Sequence, residues 1–149
     1  MRVMIDADGC PVVDCTISLC KEFHIPCTIV CDTAHEFQRE DADTLTVDKG
    51  ADSADYALVN RVLPGDIVIT QDYGLASMCL ARRALVMNQN GQQYTEANID
   101  ALLFSRHESR KLRAAGVRMK GPSKRTRDQD SAFETALRTL LSAHTTVQG

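Results

Sequence analysis

Short apolar runs alternate with longer stretches in which apolar residues recur at helical spacing. The runs predict buried strands at residues 2–6, 26–32, 44–47, 66–70 and 84–87. The stretches between and after them predict helices at residues 11–24, 53–62, 75–83, 95–115 and 131–143. Strands that alternate with helices in this way are typical of a mainly parallel α/β sheet.

Capping residues help to predict where the two C-terminal helices begin and end. Thr95 is placed to cap the long helix, and Gly116 to end it. Ser131 and Glu134 form the pattern of a capping box, which predicts the start of the last helix. With 149 residues and no internal repeat, the chain is expected to fold as one domain, in which a basic helix and loop at about 96–128 is followed by a C-terminal helix packed on it.

Acidic residues follow several of the apolar runs. Asp6 and Asp72 each come at the end of a predicted strand, and Asp8 lies two residues beyond Asp6. Asp52 and Asp55 stand three residues apart at the predicted start of a helix, so they share one face. Because ligands of open α/β sheets bind at the carboxyl ends of strands, we expect these carboxylates to face one crevice.

A group of carboxylates in one crevice needs a cation to remain ionised together. Mg²⁺ and Mn²⁺ prefer such oxygen ligands, so the pattern predicts a metal site that hydrolyses a phosphodiester without a protein nucleophile. Asp6, Asp55 and Asp72 are the predicted catalytic ligands, and Asp8 and Asp52 the supporting ones. Taken singly, Asp52 is also explained as a helix cap, and Asp6 and Asp72 as turn residues.

The charge of the chain is unevenly distributed. Residues 1–105 hold 7 Lys and Arg against 16 Asp and Glu, a net −9, whereas residues 106–149 hold 10 against 4, a net +6. A basic segment joined to an acidic half suits an anionic substrate such as RNA, although a solvated basic helix face explains it equally well. The predicted contacts to phosphate are Lys49, Thr70, Arg110, Lys111, Arg113, Arg118, Lys120, Lys124 and Arg125.

Other features of the sequence bear on location. No apolar run approaches the roughly 20 residues needed to span a bilayer, and Asp6 interrupts the N-terminal run before it could form a signal peptide. We therefore expect a cytoplasmic protein with no membrane contact. The six cysteines include no Cys-x-x-Cys pair and are expected to behave as small buried residues; Cys10 differs because it adjoins the Asp6–Asp8 turn.

The first motif also resembles that of the haloacid-dehalogenase-type phosphatases. In that case Asp6 would attack phosphorus and Asp8 would act as the general acid. The resemblance fails further along the chain, because the residue after Gly9 is Cys10 and no later strand ends in the expected acidic pair.

A second resemblance extends over the whole chain. The segment Asp6-Ala7-Asp8-Gly9-Cys10-Pro11-Val12 is similar to the Asp-Ala-Asp-Ala-Cys-Pro-Val opening of the bacterial YaiI/YqxD family. Further matches, in the same order, are Gly65 to Asp72, Tyr94-Thr95-Glu96, Leu112 to Val117, and Lys120-Gly121-Pro122 followed by Phe133.

This resemblance implies membership of the PIN-like superfamily of metal-dependent nucleases. It implies a parallel sheet between two layers of helices with strand order 3-2-1-4-5, and acids at Asp6, at Asp52 or Asp55, and at Asp72. One position departs from the family pattern, because Gln129 stands where an acid is common, four residues before Phe133. The implied activity is that of a Mg²⁺- or Mn²⁺-dependent ribonuclease; the alternative is a PIN-like protein that binds RNA and has lost its activity.

Overall fold

The computed structural model describes residues 1–32, 40–47, 53–119 and 123–148. Within these residues the strands are β1 (Val3–Asp6), β2 (Cys27–Asp32), β3 (Asp43–Val47), β4 (Ile67–Ile69), β5 (Leu85–Met87) and β6 (Gln93–Tyr94). The helices are α1 (Val13–Glu22), α2 (Ser53–Arg61), α3 (Tyr73–Ala81), α4 (Glu96–Ala114) and α5 (Arg127–Gln148). All five predicted strands and all five predicted helices are present, with ends that differ by a few residues.

The strands form a single mainly parallel sheet in the order β3-β2-β1-β4-β5-β6. β1 to β5 are parallel, and β6 pairs antiparallel with β5. The prediction of five strands is therefore wrong by one, because β6 has only two residues and carries no periodic signal. From β1 the sheet extends to β2 and β3 on one side and to β4 and β5 on the other. The order of the strands therefore reverses between β1 and β4, and the carboxyl ends of these two parallel strands border a crevice.

Helices cover both faces of the sheet. Alternate residues of β1 point to opposite faces, and each face meets its own apolar cluster. Val3 and Ile5 pack with α1 and α5 through residues such as Ile17 and Phe133. On the opposite face the buried residues of β1 and β4 pack with α2, α3 and the first turns of α4.

α4 is packed at its start and exposed at its end. Thr95 caps the helix as predicted, and Asn98 returns a hydrogen bond to the backbone of Thr95. Ile99 is buried, whereas Leu112 is 44% exposed. The exposed second half carries most of the basic residues of the helix. None of the helices in the described ranges is long and apolar enough to cross a membrane.

α5 starts earlier than its sequence pattern indicated. Thr126 and Gln129 exchange reciprocal hydrogen bonds, 2.9 Å from the Thr126 amide to Gln129 Oε1 and 3.3 Å from the Gln129 amide to Thr126 Oγ1. This capping box lies before the predicted one, and Ser131 is inside the helix. The helix contacts α1; its expected packing on the basic helix stays a prediction.

Candidate active site

Asp6 and Asp72 lie at the crevice between β1 and β4. Asp6 is the last residue of β1, and Asp72 follows β4 as the N-cap of α3. The two side chains open into a cleft of about 310 Å³. Its lining residues are Asp6, Asp8, Gln71, Asp72, Tyr73 and Arg106. Three of the five predicted metal ligands are thus brought to one cleft.

Thr70 joins the two aspartates from beneath. Its hydroxyl donates to Asp6 Oδ2 at 2.7 Å, and its oxygen accepts from the Asp72 amide at 3.0 Å. Thr70 is 1% exposed, and its predicted contact with substrate phosphate stays a prediction. Its hydroxyl connects the carboxylate of Asp6 to the backbone of Asp72.

Asp72 has a second role as a helix cap. Its Oδ1 accepts from the amides of Gly74 at 2.8 Å and Leu75 at 3.1 Å. These bonds satisfy free amides in the first turn of α3 and place the carboxylate at the positive end of that helix. The side chain is therefore fixed in orientation while remaining partly open to the cleft.

Asp8 is held by the neighbouring strand. Its Oδ2 accepts from the Asp32 amide at the end of β2, at 3.2 Å. Gln71 fixes the same turn from the other side, because its Nε2 donates to the Gly9 carbonyl at 3.0 Å. The turn after β1 is thus tied to the segments that follow both adjacent strands.

The charge of Asp6 is unfavourable in this setting. Burial, with smaller contributions from the negative charges of Asp72 and Asp8, raises the pKa of Asp6 to about 6 from its ordinary 3.8, against the opposing hydrogen bond from Thr70. A bound cation would reverse the balance by favouring the ionised carboxylate.

Arg106 of α4 closes one side of the cleft. Its Nη1 lies 3.6 Å from Asp72 Oδ1, and the two side chains are 38% and 35% exposed. Ion pairs this exposed contribute little to stability. The guanidinium is therefore able to leave Asp72 for another anion, such as a phosphate.

Of the two remaining predicted ligands, the structure describes only Asp55. Asp55 lies in the first turn of α2 and is not among the described residues that line the cleft. Its charge still reaches the same part of the core, because burial together with Asp55 and Asp6 raises the pKa of the Cys79 thiol to about 12. Asp52, like Lys49, lies outside the described residues.

The cleft suits a cation that keeps part of its water shell. Among the described residues, no three Asp, Glu, His or Cys side chains are grouped closely enough to hold one ion directly. Mg²⁺ is commonly held by one or two carboxylates, with waters and substrate phosphates completing its shell. Asp6, Asp8 and Asp72 offer oxygen ligands of this kind, so the residues present fit such a group.

The predicted phosphate contacts of the C-terminal half differ in their exposure and in their partners. Arg110, Lys111, Arg113, Arg118 and Lys124 are exposed, and none lines the cleft. Arg125 instead holds the chain together: its guanidinium donates to Asp130 Oδ1 at 2.6 Å, Asn90 Oδ1 at 2.7 Å and the Gln89 carbonyl at 2.6 Å. Lys120 lies outside the described residues.

Three lining residues, Gln71, Tyr73 and Arg106, are not among the site residues predicted above. Arg106 follows Ile99 by seven residues and so falls on the packed face of α4, a spacing that the sequence already contained. The sequence pattern predicted that α3 begins at residue 75, which leaves Tyr73 in a loop. In the structure α3 begins at Tyr73.

The amino-acid sequence is similar to those of a known protein family. The model described as "Uncharacterized BCR, YaiI/YqxD family" matches residues 4–143. A UPF0178 protein of Exiguobacterium sibiricum is 52% identical over 145 residues, which cover 97% of this chain and 99% of that protein. A UPF0178 protein of Ruminiclostridium cellulolyticum is 48% identical over 137 residues, covering 92% and 90%. No solved structure gives a significant match.

Proposed function

The chain belongs to the YaiI/YqxD family, and we propose that it is a Mg²⁺- or Mn²⁺-dependent nuclease that hydrolyses the phosphodiester bonds of RNA. The observation that carries this proposal is the convergence of Asp6, Asp8 and Asp72 on one cleft at the reversal point of the sheet. Burial and neighbouring charge raise the pKa of Asp6 there, and such perturbed groups in a cleft are typical of functional sites.

The aspartates would hold the metal, and Asp6 and Asp72 are its principal ligands. When bound, Mg²⁺ or Mn²⁺ supplies Lewis-acid stabilisation of the charge that develops on the phosphodiester. Thr70 keeps Asp6 aligned with Asp72, and Asp8 adds a third carboxylate from the turn held by the Asp32 amide. Asp55 and Asp52 remain predicted ligands for this site.

Arg106 is the residue placed to bind the scissile phosphate. It borders the aspartates and pairs weakly with Asp72, so a phosphate that enters the cleft would compete for the guanidinium. Beyond it, α4 continues into an exposed basic surface that includes Arg110 and Arg113. This surface would hold the RNA backbone by charge without reading the bases.

The topology supports placement in the PIN-like superfamily. The five parallel strands run in the order 3-2-1-4-5, the order that the resemblance implied, and helices cover both faces. We therefore include membership of this superfamily, with its three-layer α/β/α sandwich, in the proposal.

Cleavage of mixed RNA with Mn²⁺ tests the function. Wild type is compared with Asp6→Asn and Asp72→Asn, which keep the hydrogen bond to Thr70 and the cap of α3 respectively, because Asn also accepts these bonds. Asp43→Asn is the matched control, since Asp43 is exposed at the opposite end of the parallel strands. We expect cleavage by wild type and Asp43→Asn, with a loss of at least roughly 100-fold in the other two.

Each other outcome has a defined meaning. Equal cleavage by all four proteins would indicate a contaminant and reject the proposal. RNA binding without turnover by wild type in Mn²⁺ would indicate the inactive RNA-binding alternative. Release of phosphate from small phosphomonoesters, abolished by Asp6→Asn, would instead favour the hypothesis of a phosphatase that uses Asp6 as its nucleophile.

A further inference from the structure

A second cavity lies directly beside the carboxylate cleft. It has a volume of about 520 Å³, which is larger than the cleft itself. Tyr73 lines both spaces, so its side chain is their common wall. Because Tyr73 follows Asp72 in sequence, an occupant of the cavity would adjoin any group bound by the aspartates.

The lining of this cavity is neutral throughout the part of the chain that the structure describes. It consists of two phenol rings, from Tyr73 and Tyr94, four carboxamides and the apolar side chains of Ala101 and Leu102. The carboxamides belong to Asn88, Gln92, Gln93 and Asn98. Without a charged group, such a lining does not suit phosphate or carboxylate. It suits a neutral planar ring that both donates and accepts hydrogen bonds.

Several of these side chains are already fixed in place. The Asn88 amide donates to Gln92 Oε1 at 3.1 Å. Asn98 accepts from the Thr95 amide and donates to the Gln93 carbonyl at 3.0 Å. A wall that is ordered in advance reduces the entropy lost when a ligand binds.

The two tyrosines are arranged to serve different purposes. Tyr94 is 5% exposed, and its hydroxyl donates to the Thr70 carbonyl at 3.2 Å. Tyr94 is therefore part of the core beneath the site. Tyr73 is less buried and is supported by an edge contact with Tyr94, with ring centroids 5.8 Å apart and an interplanar angle of 67°. Tyr73 is the ring available for stacking.

We propose that this cavity binds one unstacked nucleobase of the RNA strand whose phosphate lies in the adjoining cleft. Stacking on Tyr73 and hydrogen bonds from the carboxamides would hold the base. α4 connects the parts of this path, because Asn98 and Ala101 line the cavity, Arg106 lines the cleft and Arg110 follows on the basic surface. That the ligand is RNA rests on the proposed function, but binding of the base does not depend on cleavage.

The test measures binding without cleavage. Fluorescein-labelled RNA hexamers of each of the four bases are compared with an abasic ribose-phosphate hexamer by anisotropy, in EDTA. Wild type is compared with Tyr73→Ala and Tyr73→Phe. The matched control is Tyr56→Ala, because Tyr56 is 59% exposed on α2 and does not line the cavity.

The expected result is selective for the base. Tyr73→Ala should bind base-containing hexamers roughly 5- to 150-fold more weakly, which corresponds to the loss of one stacking contact, and should bind the abasic hexamer as wild type does. Tyr73→Phe and Tyr56→Ala should resemble wild type on every hexamer. Gln93→Ala, at an exposed position, should change the order of preference among the four bases.

Two results would overturn the proposal: equal affinity of wild type for abasic and base-containing hexamers, or an equal loss on both kinds in Tyr73→Ala. If Tyr73→Ala fails to fold, Gln93→Ala and the wild-type comparison decide the matter. The outcomes of this binding test can be distinguished from those of the nuclease test. Base-dependent binding without cleavage rejects the nuclease alone, and cleavage without base-dependent binding rejects the cavity alone.

Discussion

At the scale of single residues, Thr70 determines how the two principal aspartates stand to one another. One hydroxyl group donates to Asp6 and accepts from the backbone of Asp72, so the carboxyl ends of β1 and β4 are connected by side-chain chemistry as well as by the sheet. Burial makes this connection rigid, and it also makes the charge of Asp6 costly.

The cost of that charge should appear in the pH dependence of stability. The folded protein holds a proton on Asp6 more tightly than the unfolded chain does, because the pKa is about 6 against 3.8. The metal-free protein should therefore lose stability as the pH rises from about 4 to 6. Asp6→Asn lacks this charge, so its free energy of unfolding should exceed that of wild type by up to about 3 kcal/mol at pH 8.

Urea unfolding of the two proteins at several pH values measures this effect. The advantage of Asp6→Asn should shrink to nearly zero at about pH 4, where the carboxyl is protonated in the folded state. Asp43→Asn, which removes an exposed charge, should show no such trend. A difference between Asp6→Asn and wild type that is the same at all pH values would contradict the pKa assigned to Asp6.

Thr70→Val tests the positioning role. Valine keeps the size of the side chain but removes the hydrogen bonds to Asp6 and Asp72, so stability should fall by about 1–3 kcal/mol. The pKa of Asp6 should also rise above about 6, because the bond from Thr70 lowers it. Carboxyl carbon NMR titration gives this pKa directly. Thr70→Ser keeps the hydroxyl, and it should leave the pKa of Asp6 close to that of wild type.

The residues of the site were not equally predictable. Asp6, Asp8 and Asp72 follow from the rule that short apolar runs deliver acids to the carboxyl edge of a sheet. Tyr73 depends on the exact first residue of α3, and helix ends are poorly fixed by sequence. The hydrogen bonds of Arg125 to Asn90 and the Gln89 carbonyl could not be predicted, because these partners are 35 and 36 residues away in the sequence.

At the scale of elements, the turn between β5 and β6 is clamped to α5. Arg125 reaches it from the segment before the helix. Gly91, with φ of +83°, brings its Cα against the same helix, since a Cβ there would lie 2.7 Å from the Ala132 carbonyl oxygen and 2.9 Å from Ala136 Cβ. No side chain fits this approach without a shift of the turn or of α5.

Gly91→Ala should therefore destabilise the protein for two reasons, a left-handed backbone and a clash with backbone atoms. The expected loss is about 2–4 kcal/mol, measured by urea unfolding. Gly65→Ala is the matched control, because Gly65 has φ of +89° but open space where its Cβ would stand. Its loss should be limited to about 1 kcal/mol. Equal losses would show that the contact with α5 is unimportant.

The elements were predicted where hydrophobic periodicity was strong and missed where strand pairing or capping hydrogen bonds define them. The five parallel strands are apolar runs and were found. β6 is only Gln93–Tyr94 and exists through its pairing with β5, which no local pattern shows. The start of α5 was misplaced because Ser131 and Glu134 imitate a cap, whereas the observed hydrogen bonds join Thr126 and Gln129.

At the scale of the whole molecule, the charge asymmetry becomes a spatial one. Three acidic residues, Asp6, Asp8 and Asp72, line the cleft at the sheet edge, and α4 carries basic residues outward from it, starting with Arg106. Residues 110–114 at the end of α4 are all exposed. Packing therefore does not explain the charges of Arg110, Lys111 and Arg113, and we propose that they bind an anionic polymer.

The double variant Arg110→Ala/Arg113→Ala tests this surface. RNA affinity should fall by a similar factor for all sequences, and the slope of log affinity against log salt should become shallower by about 1.4, as for two lost phosphate contacts on a single strand. Lys21→Ala/Arg82→Ala removes two exposed cations elsewhere and serves as the control. An unchanged slope in the first variant would show that these arginines do not contact RNA.

The proposed function requires that Asp6, Asp8 and Asp72 bind a divalent cation that keeps part of its water shell. Titration of Mn²⁺ into the metal-free protein, followed by electron paramagnetic resonance of the free ion, measures this without any assumption about substrate. Wild type and Asp43→Asn should bind Mn²⁺ with equal affinity, and Asp6→Asn and Asp72→Asn should bind it at least roughly tenfold more weakly. Equal affinity in all four proteins, or no binding by wild type at neutral pH, would contradict the account.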